Sequence, residues 1–456
     1  MRVHFIAVGG SAMHNLAIAL SKKGYQVTGS DDVIFEPSKT RLQKQGILPE
    51  NQGWDENNIT ADLDAVILGM HARVDNPELL KAQQIGLKIY SYPEYIYEQS
   101  KDKKRVVIGG SHGKTTITSM ILHVLNFYKK DFDYLVGAQL EGFDTMVKIT
   151  DEAPVIIIEG DEYLASPIDR RPKFHLYKAH IAVLSGIAWD HINVFPTFDN
   201  YLEQFRIFLD TIEPNGTLIY SETDSELKNL VDKFEGDLIK MPYNLPAHVL
   251  NNGQTKLITD EGEIPLEIFG DHNLLNLNAA RLVVNELGIN NSDFYAAIRS
   301  FKGAARRLEL LAKNDFTAVY KDFAHSPSKL KATILAVKKQ FPERELVAVI
   351  ELHTFSSLNK KFLDEYAGTM DNANEAIVFI DETIFLQKRL ELYDEKVVKD
   401  AFANTRVKFF NNVEILEAFL SYINYKSKNL LLMSSGNFAG LDLVKLAKKI
   451  TETKEI

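Results

Sequence analysis

Along most of this 456-residue chain, short runs of β-branched and aliphatic residues alternate with stretches whose apolar positions recur three or four residues apart. The runs predict buried strands and the spaced stretches predict amphipathic helices, so their alternation predicts parallel sheets covered by helices. Val3 to Val8 is the first strand, followed by Gly9-Gly10, a helix from about Ala12 to Lys23 and a strand over Tyr25 to Gly29. Val106-Val107-Ile108 predicts another strand, and Ile117, Met120, Ile121, Val124, Leu125 and Tyr128 behind it carry helical spacing. "APVIIIE", "HIAVLS", "FTAVYKDF", "ELVAVIEL", "EAIVFID" and "NLLLMSS" continue the strand series. No repeat or low-complexity tract interrupts it, and the lysine-rich tail reads as a solvated helix end.

The chain is too long for one ordinary core. At "SKDKKRVVIGG" a polar, basic connector gives way to a buried strand, which predicts a boundary near residue 102. A second is expected at 300–304, where "FKGAARRLELL" begins. The expected domains are residues 1–102, 103–302 and 303–456.

Composition narrows the chemistry. With 45% hydrophobic and 25% charged residues the chain is globular. A formal net charge of −10, from 62 acidic and 52 basic residues, argues against nucleic acid as a partner. It leaves a small anionic ligand open. The absence of cysteine excludes disulfides, zinc–thiolate sites and a thiol nucleophile. No signal-type N-terminus and no long apolar run is present, so the expectation is a cytoplasmic protein without a membrane span.

The candidate chemistry begins at "VVIGGSHGKTTITSM", residues 106–120. Gly110, Ser111, His112, Gly113, Lys114, Thr115 and Thr116 sit where a strand hands over to a helix N-terminus. Free backbone N–H groups and the helix dipole attract anions there. Gly113 would let backbone approach phosphate oxygens, Lys114 would supply a point charge, and Thr115 could ligate Mg²⁺. The usual form G-x-x-x-x-G-K-[ST] has glycine where this chain has Ile108. Downstream, "APVIIIEGDEY" ends a strand in Glu159, Asp161 and Glu162, and "HIAVLSGIAWDHINVF" carries Asp190 and His191 at a strand exit. Taken singly, Glu159 could cap a helix and His191 could be structural. Together, at the carboxyl ends of parallel strands, they point to one crevice.

"GGSHGKTT", "EGDE", "DH", "GDHNLLNLNAA" (270–280) and "DFAHSP" (322–327) together resemble the Mur ligase family, whose members share a phosphate loop lacking the leading glycine. The resemblance covers essentially the whole chain in motif order. It implies an α/β protein of three domains: an N-terminal Rossmann-like domain, a central P-loop ATPase-like parallel sheet with flanking helices, and a C-terminal Rossmann-like domain. It further implies ATP and Mg²⁺, with Lys114 on the phosphates, Thr115 and Glu159 on one metal ion and His191 on a second. His272 and Asn273 match the adenine side, Arg307 an arginine that reaches the nucleotide, and Asp322 and His325 a ribose-contacting, site-closing motif. Gly9, Gly10, Ser11, Ala12, Met13, Ser30 and Asp31 match the cradle for a UDP-muramyl substrate. A dinucleotide-binding reading of that cradle is the rival, but Ala7 and Ala12 depart from G-x-G-x-x-G.

Several family members carry a carbamylated lysine where this chain has Arg206, 15 positions after His191. Arginine cannot form the carbamate, so the resemblance implies the branch acting on UDP-N-acetylmuramate itself. Its acceptors are free L-alanine or the tripeptide L-alanyl-γ-D-glutamyl-meso-diaminopimelate. Tyr163, the "DRRPKF" element and "LLMSSGNFAG" resemble the tripeptide enzymes, whereas "ELHTFSSL" (351–358) resembles the alanine enzymes. The expected reaction phosphorylates the lactyl carboxylate with ATP and lets an amine displace phosphate. A P-loop switch and a nucleotide-sugar-binding protein with a degenerate site are the rivals of other classes.

Overall fold

The computed structural model describes residues 1–140, 142–189, 194–251, 253–304, 307–383 and 393–452. The chain divides into two compact units. The first comprises Met1–Trp189, Val194–Asn244 and Leu277–Phe294. Its four-stranded sheet is built from Arg2–Ile6 (β1), Gln26–Ser30 (β2), Ala65–Leu68 (β3) and Ile89–Ser91 (β4), all parallel, in the order β2-β1-β3-β4. β1 stops at Ile6, short of the expected Val8, because Ala7 turns into the left-handed region at φ 68°.

The same unit holds a seven-stranded sheet. Its strands are Lys104–Gly109 (β5), Asp133–Leu135 (β6), Val147–Lys148 (β7), Val155–Glu159 (β8), Ile181–Leu184 (β9), Thr217–Ser221 (β10) and Ile239–Tyr243 (β11). The order is β11-β10-β9-β5-β8-β6-β7, and only β7 runs antiparallel to its neighbour. β5 and β8 are buried along nearly their whole length, as helix-covered parallel strands must be, which explains their continuous Val and Ile. The phosphate-loop strand β5 therefore lies between β8, which ends in Glu159, and β9.

The second unit contains Leu245–Asn276 and the chain from Tyr295 onward. His248–Asn251 (β12), Gln254–Thr259 (β13) and Gly262–Leu266 (β14) form an antiparallel sheet that the alternation pattern did not predict. These strands are short, half-exposed and joined by tight turns, one of them closed by Gly262 at φ 101°. The other sheet has Glu309–Lys313 (β15), Ala318–Asp322 (β16), Glu345–Glu351 (β17), Glu375–Phe379 (β18), Lys408–Phe410 (β19) and Lys428–Met433 (β20). Its order is β15-β16-β20-β17-β18-β19, parallel except for the edge strand β15. Among the described residues no helix is long and apolar enough to cross a membrane.

Candidate nucleotide and substrate sites

β5 runs into the loop 110–113, and the helix Lys114–Phe127 begins directly at Lys114 with Gly113 (φ 80°) as its N-cap. No side chain caps this helix, so its first N–H groups face outward for an anion. Gly110, at φ 116°, has no room for a side chain: a Cβ there would stand 2.3 Å from Ser185 Oγ and 2.8 Å from its backbone nitrogen. The loop is pinned to the exit of β9, where Ser111 N–H donates to the Gly186 carbonyl (3.0 Å) and Ala188 N–H donates to Ser111 Oγ (2.7 Å). The Ser185 hydroxyl donates to the His112 carbonyl.

Lys114 Nζ reaches the Gly110 carbonyl (2.7 Å) and the buried Glu162 carboxylate (2.7 Å). Burial works to lower the lysine pKa, but Glu162, Asp161 and Glu159 outweigh it and hold the ammonium above its ordinary value. Lys114 is therefore a fixed positive charge at the loop. Thr115 Oγ1 donates to Glu159 Oε1 (2.8 Å), and Gly137 N–H donates to Glu159 Oε2 (2.8 Å). Hydroxyl and carboxylate oxygens brought together beside a phosphate loop are hard donors of the kind Mg²⁺ takes, so the residues fit that ion. Among the described residues no group of three or more His, Cys, Asp or Glu is arranged to hold a metal. Asp190 and His191 lie outside the described residues.

At the N-terminal cradle, Gly10 caps the helix Ser11–Lys22 and again no side chain makes a capping hydrogen bond. Asp31 Oδ2 accepts the Gly9 N–H (2.7 Å), and a Cβ on Gly9 would collide with that oxygen at 2.9 Å. Burial holds the Asp31 carboxyl above its usual pKa despite hydrogen bonds from Gly9 and Asp32. Gly9, Gly10, Ser11, Ala12 and Asp31 are thus placed at one helix N-terminus. Ser30 and Met13 face inward: the Ser30 hydroxyl donates to buried Glu78, while Met13 packs in the core. Glu78 also accepts from Asn58 (2.9 Å) and from Asp55 N–H (3.0 Å), and His4 lies 3.3 Å away.

In the second unit His272 and Asn273 sit on the first turn of the helix Asp271–Glu286. Gly270 (φ 92°) must stay bare because a Cβ would meet Ala336 at 2.7 Å and His272 at 3.1 Å. Burial pushes the His272 pKa down against the opposing pull of Asp322 and Asp271. The Asp322 carboxylate accepts Leu308 N–H (2.7 Å) and Ala324 N–H (2.7 Å), tying the start of β15 to the end of β16. The Arg307 guanidinium lies over the Phe323 ring, 4.7 Å from its centre. His325 Nδ1 is 2.8 Å from the Phe323 carbonyl.

Three contacts were not legible in the motifs. They are the Lys114–Glu162 ion pair, the Gly137 amide on Glu159, and the Asn15 side chain on Met146 N–H (3.0 Å). Only Glu162 gave a signal, as part of an acidic cluster after a strand.

A parallel sheet whose central strand feeds an uncapped, glycine-walled helix N-terminus, with a fixed lysine and a hydroxyl–carboxylate pair beside it, defines a P-loop nucleotide-binding protein. Comparison narrows this class. Residues 2–104 match the description "Mur ligase family, catalytic domain", 108–284 "Mur ligase middle domain", and 306–436 "Mur ligase, glutamate ligase domain". The UDP-N-acetylmuramate–L-alanine ligase of Sulfurihydrogenibium sp. is 30% identical, covering 99% of this chain and 98% of its own. The Escherichia coli ligase joining UDP-N-acetylmuramate to L-alanyl-γ-D-glutamyl-meso-2,6-diaminoheptandioate is 27% identical, covering 98% and 99%. The crystal structure of a murein peptide ligase from Psychrobacter arcticus superposes with a TM-score of 0.65 at 22% identity, covering all of both chains. The chain belongs to the Mur ligase family and is an ATP-dependent amide-bond ligase of peptidoglycan synthesis with the family's three-domain α/β architecture.

Proposed function

We propose that this ligase joins the lactyl carboxylate of UDP-N-acetylmuramate to the amine of L-alanyl-γ-D-glutamyl-meso-diaminopimelate. Residues 1–102 would hold the UDP part, 103–302 the ATP, and 303–456 the acceptor. The observation that carries the acceptor is the excursion after β8. Lys173 pairs with Asp161 (2.7 Å), Lys173 N–H donates to the Tyr163 carbonyl (2.8 Å) and Phe174 N–H donates to the Asp161 carbonyl (3.1 Å). The two sequence elements that resemble tripeptide ligases, the Tyr after the acidic cluster and "RRPKF", thus form one local structure. Its Glu162 is the residue that pairs with Lys114. A second reading, L-alanine as acceptor, is favoured by the name of the 30%-identical relative and by "ELHTFSSL".

The chemistry follows from the difficulty of amide formation: oxide is too poor a leaving group for an amine to displace from a carboxylate. Transfer of the ATP γ-phosphoryl to the lactyl carboxylate makes an acyl phosphate, whose phosphate an amine expels through a tetrahedral intermediate. Lys114 and the helix N-terminus at Gly113 stabilise charge on the moving phosphoryl group. Thr115 and Glu159 would hold Mg²⁺, which would supply further charge neutralisation there, and His191 would serve a second ion. The amides of Gly10 to Ala12 cradle the pyrophosphate of the UDP substrate, and Asp31, which takes the Gly9 N–H, would face its ribose or uracil. His272 and Asn273 would face adenine, Asp322 and His325 the ribose, and Arg307 the phosphates.

The test offers ATP and UDP-N-acetylmuramate with either L-alanine or the tripeptide and measures phosphate release and product mass. Ligation of the tripeptide is expected. Product with L-alanine alone overturns the acceptor, and ATP hydrolysis indifferent to both substrates overturns the ligation reading.

A further inference from the structure

We propose that Asn15 is a positioning residue for the Glu159 carboxylate, acting through Met146 and the Gly137 amide. The inference rests on the reading that Glu159 holds Mg²⁺. Asn15 lies at the start of the second turn of the helix whose N-terminus forms the UDP cradle, and it is wholly buried (0% exposed). Its amide orientation is fixed by its partners. Met146 N–H can only donate, so Oδ1 must face it (3.0 Å). Nδ2 then faces two acceptors, the Ser11 carbonyl at 2.8 Å and His14 Nε2 at 3.0 Å. Burial keeps the His14 pKa below its ordinary value, so the ring is neutral near pH 7. With Nε2 accepting from Asn15, the ring proton sits on Nδ1, facing the Gly10 carbonyl at 3.0 Å. The four polar contacts form one consistent set that ties the cradle to residue 146.

From residue 146 the path continues to the metal-holding carboxylate. The Met146 carbonyl accepts Val136 N–H (2.9 Å), and β6 and β7 pair beside it through Leu135 and Val147. The next amide, Gly137 N–H, holds Glu159 Oε2 at 2.8 Å, while the other oxygen takes the Thr115 hydroxyl. A second tie on the same segment comes from Arg41, whose guanidinium donates to Gln139 Oε1 (3.0 Å). The hydrogen bond that Gly137 gives Glu159 therefore depends on a segment gripped by helices of the N-terminal sheet. A buried amide bonded on both sides is the kind of connection whose loss is felt by its partners.

The test is the affinity of the full-length enzyme with ADP for Mn²⁺ as the probe ion, read by calorimetry and expected to weaken in step with the shifts below. The Mg²⁺ dependence of phosphate release with ATP, UDP-N-acetylmuramate and acceptor is measured in parallel. Asn15→Leu keeps the side-chain volume and removes the hydrogen bonds. The half-saturating Mg²⁺ concentration is expected to rise about fivefold, the equivalent of one net hydrogen bond, with the ATP KM at saturating Mg²⁺ unmoved. Gln139→Ala, which breaks the Arg41 tie on a half-buried side chain, is expected to shift it about twofold in the same direction and carries the test if Asn15→Leu does not fold. Glu159→Gln is measured alongside. A shift with Glu159→Gln but none with Asn15→Leu or Gln139→Ala overturns the positioning role alone. No shift with Glu159→Gln overturns the metal reading and the proposal with it.

Discussion

Gly137→Ala asks how closely the Glu159 carboxylate must be held. Gly137 is not among the residues with positive φ, so alanine fits its backbone. Its new Cβ would stand 2.6 Å from Glu159 Oε1, 2.9 Å from Cδ and 3.1 Å from Oε2. Ordinary contact begins at 3.4 Å, so the nearest oxygen must retreat by 3.4 − 2.6 = 0.8 Å. The obstacle is the end of a flexible side chain, so the fold absorbs the change. Gly→Ala at a permitted φ gains about 0.4–1 kcal/mol from the unfolded state, against about 1 kcal/mol for a weakened hydrogen bond. The Tm should therefore move by less than about 4 °C. Catalysis has no such tolerance, since a displacement of about 1 Å can cost about 100-fold. We expect kcat/KM to fall about 10- to 100-fold, or ~1.4–2.7 kcal/mol of transition-state stabilisation, with a higher Mg²⁺ requirement. Steady-state phosphate release across a Mg²⁺ series, paired with thermal denaturation, measures both. Wild-type turnover and Mg²⁺ dependence in a folded Gly137→Ala enzyme would refute the metal-holding role of Glu159.

Lys114→Met should lower kcat by at least about 100-fold through loss of a transition-state charge. It should also lower the Tm, because it removes the ammonium that pairs with the buried Glu162 carboxylate; turnover within tenfold of wild type would contradict the assignment. His14, His175, His180 and His272 all have pKa values pushed below the ordinary 6.5, chiefly by burial. The unfolded chain therefore binds more protons below that pH, so this stability is fully present above about 6.5 and is lost as pH falls through the depressed folded values. Thermal melts from pH 8 to 5 should show a falling Tm, and a rise on acidification would count against the buried neutral histidines. Arg206 is exposed and paired with Glu203 (2.8 Å) and Asp210 (2.8 Å) along its own helix. Removing bicarbonate should leave the rate unchanged and Arg206→Ala should cost less than about twofold; a bicarbonate-dependent rate would reopen the question of which branch this chain belongs to.

Much of this molecule is legible as a string because strands and phosphate loops are local events. Ile108 followed by Gly109 and Gly110 announces a buried strand entering a turn, and Lys114 to Thr116 announces a helix start that the structure places one turn earlier than the apolar spacing suggests. Elements that depend on distant partners were not legible. β12 to β14 lack the long apolar runs of parallel strands, and only their turns identify them. Asn15 looks like an ordinary helix residue until Met146, 131 positions away, supplies the N–H it accepts. Ala7 is the reverse case. Its departure from a glycine fingerprint is visible in the sequence, but its left-handed backbone at φ 68° is visible only in three dimensions. An L-residue held there carries strain on the order of 1 kcal/mol.

The central position of β5 also governs when this enzyme becomes able to bind nucleotide as it is made. The phosphate loop leaves the ribosome early, but Ser111 is bonded to Gly186, 75 residues later in the chain. β5 itself is flanked by β8 and β9, so a nascent chain that stops before residue 181 has a loop with one wall missing. Nucleotide added during synthesis would find its site only after those strands have emerged and paired. Truncated products, which keep the glycine loop intact as sequence, would lack it as a pocket.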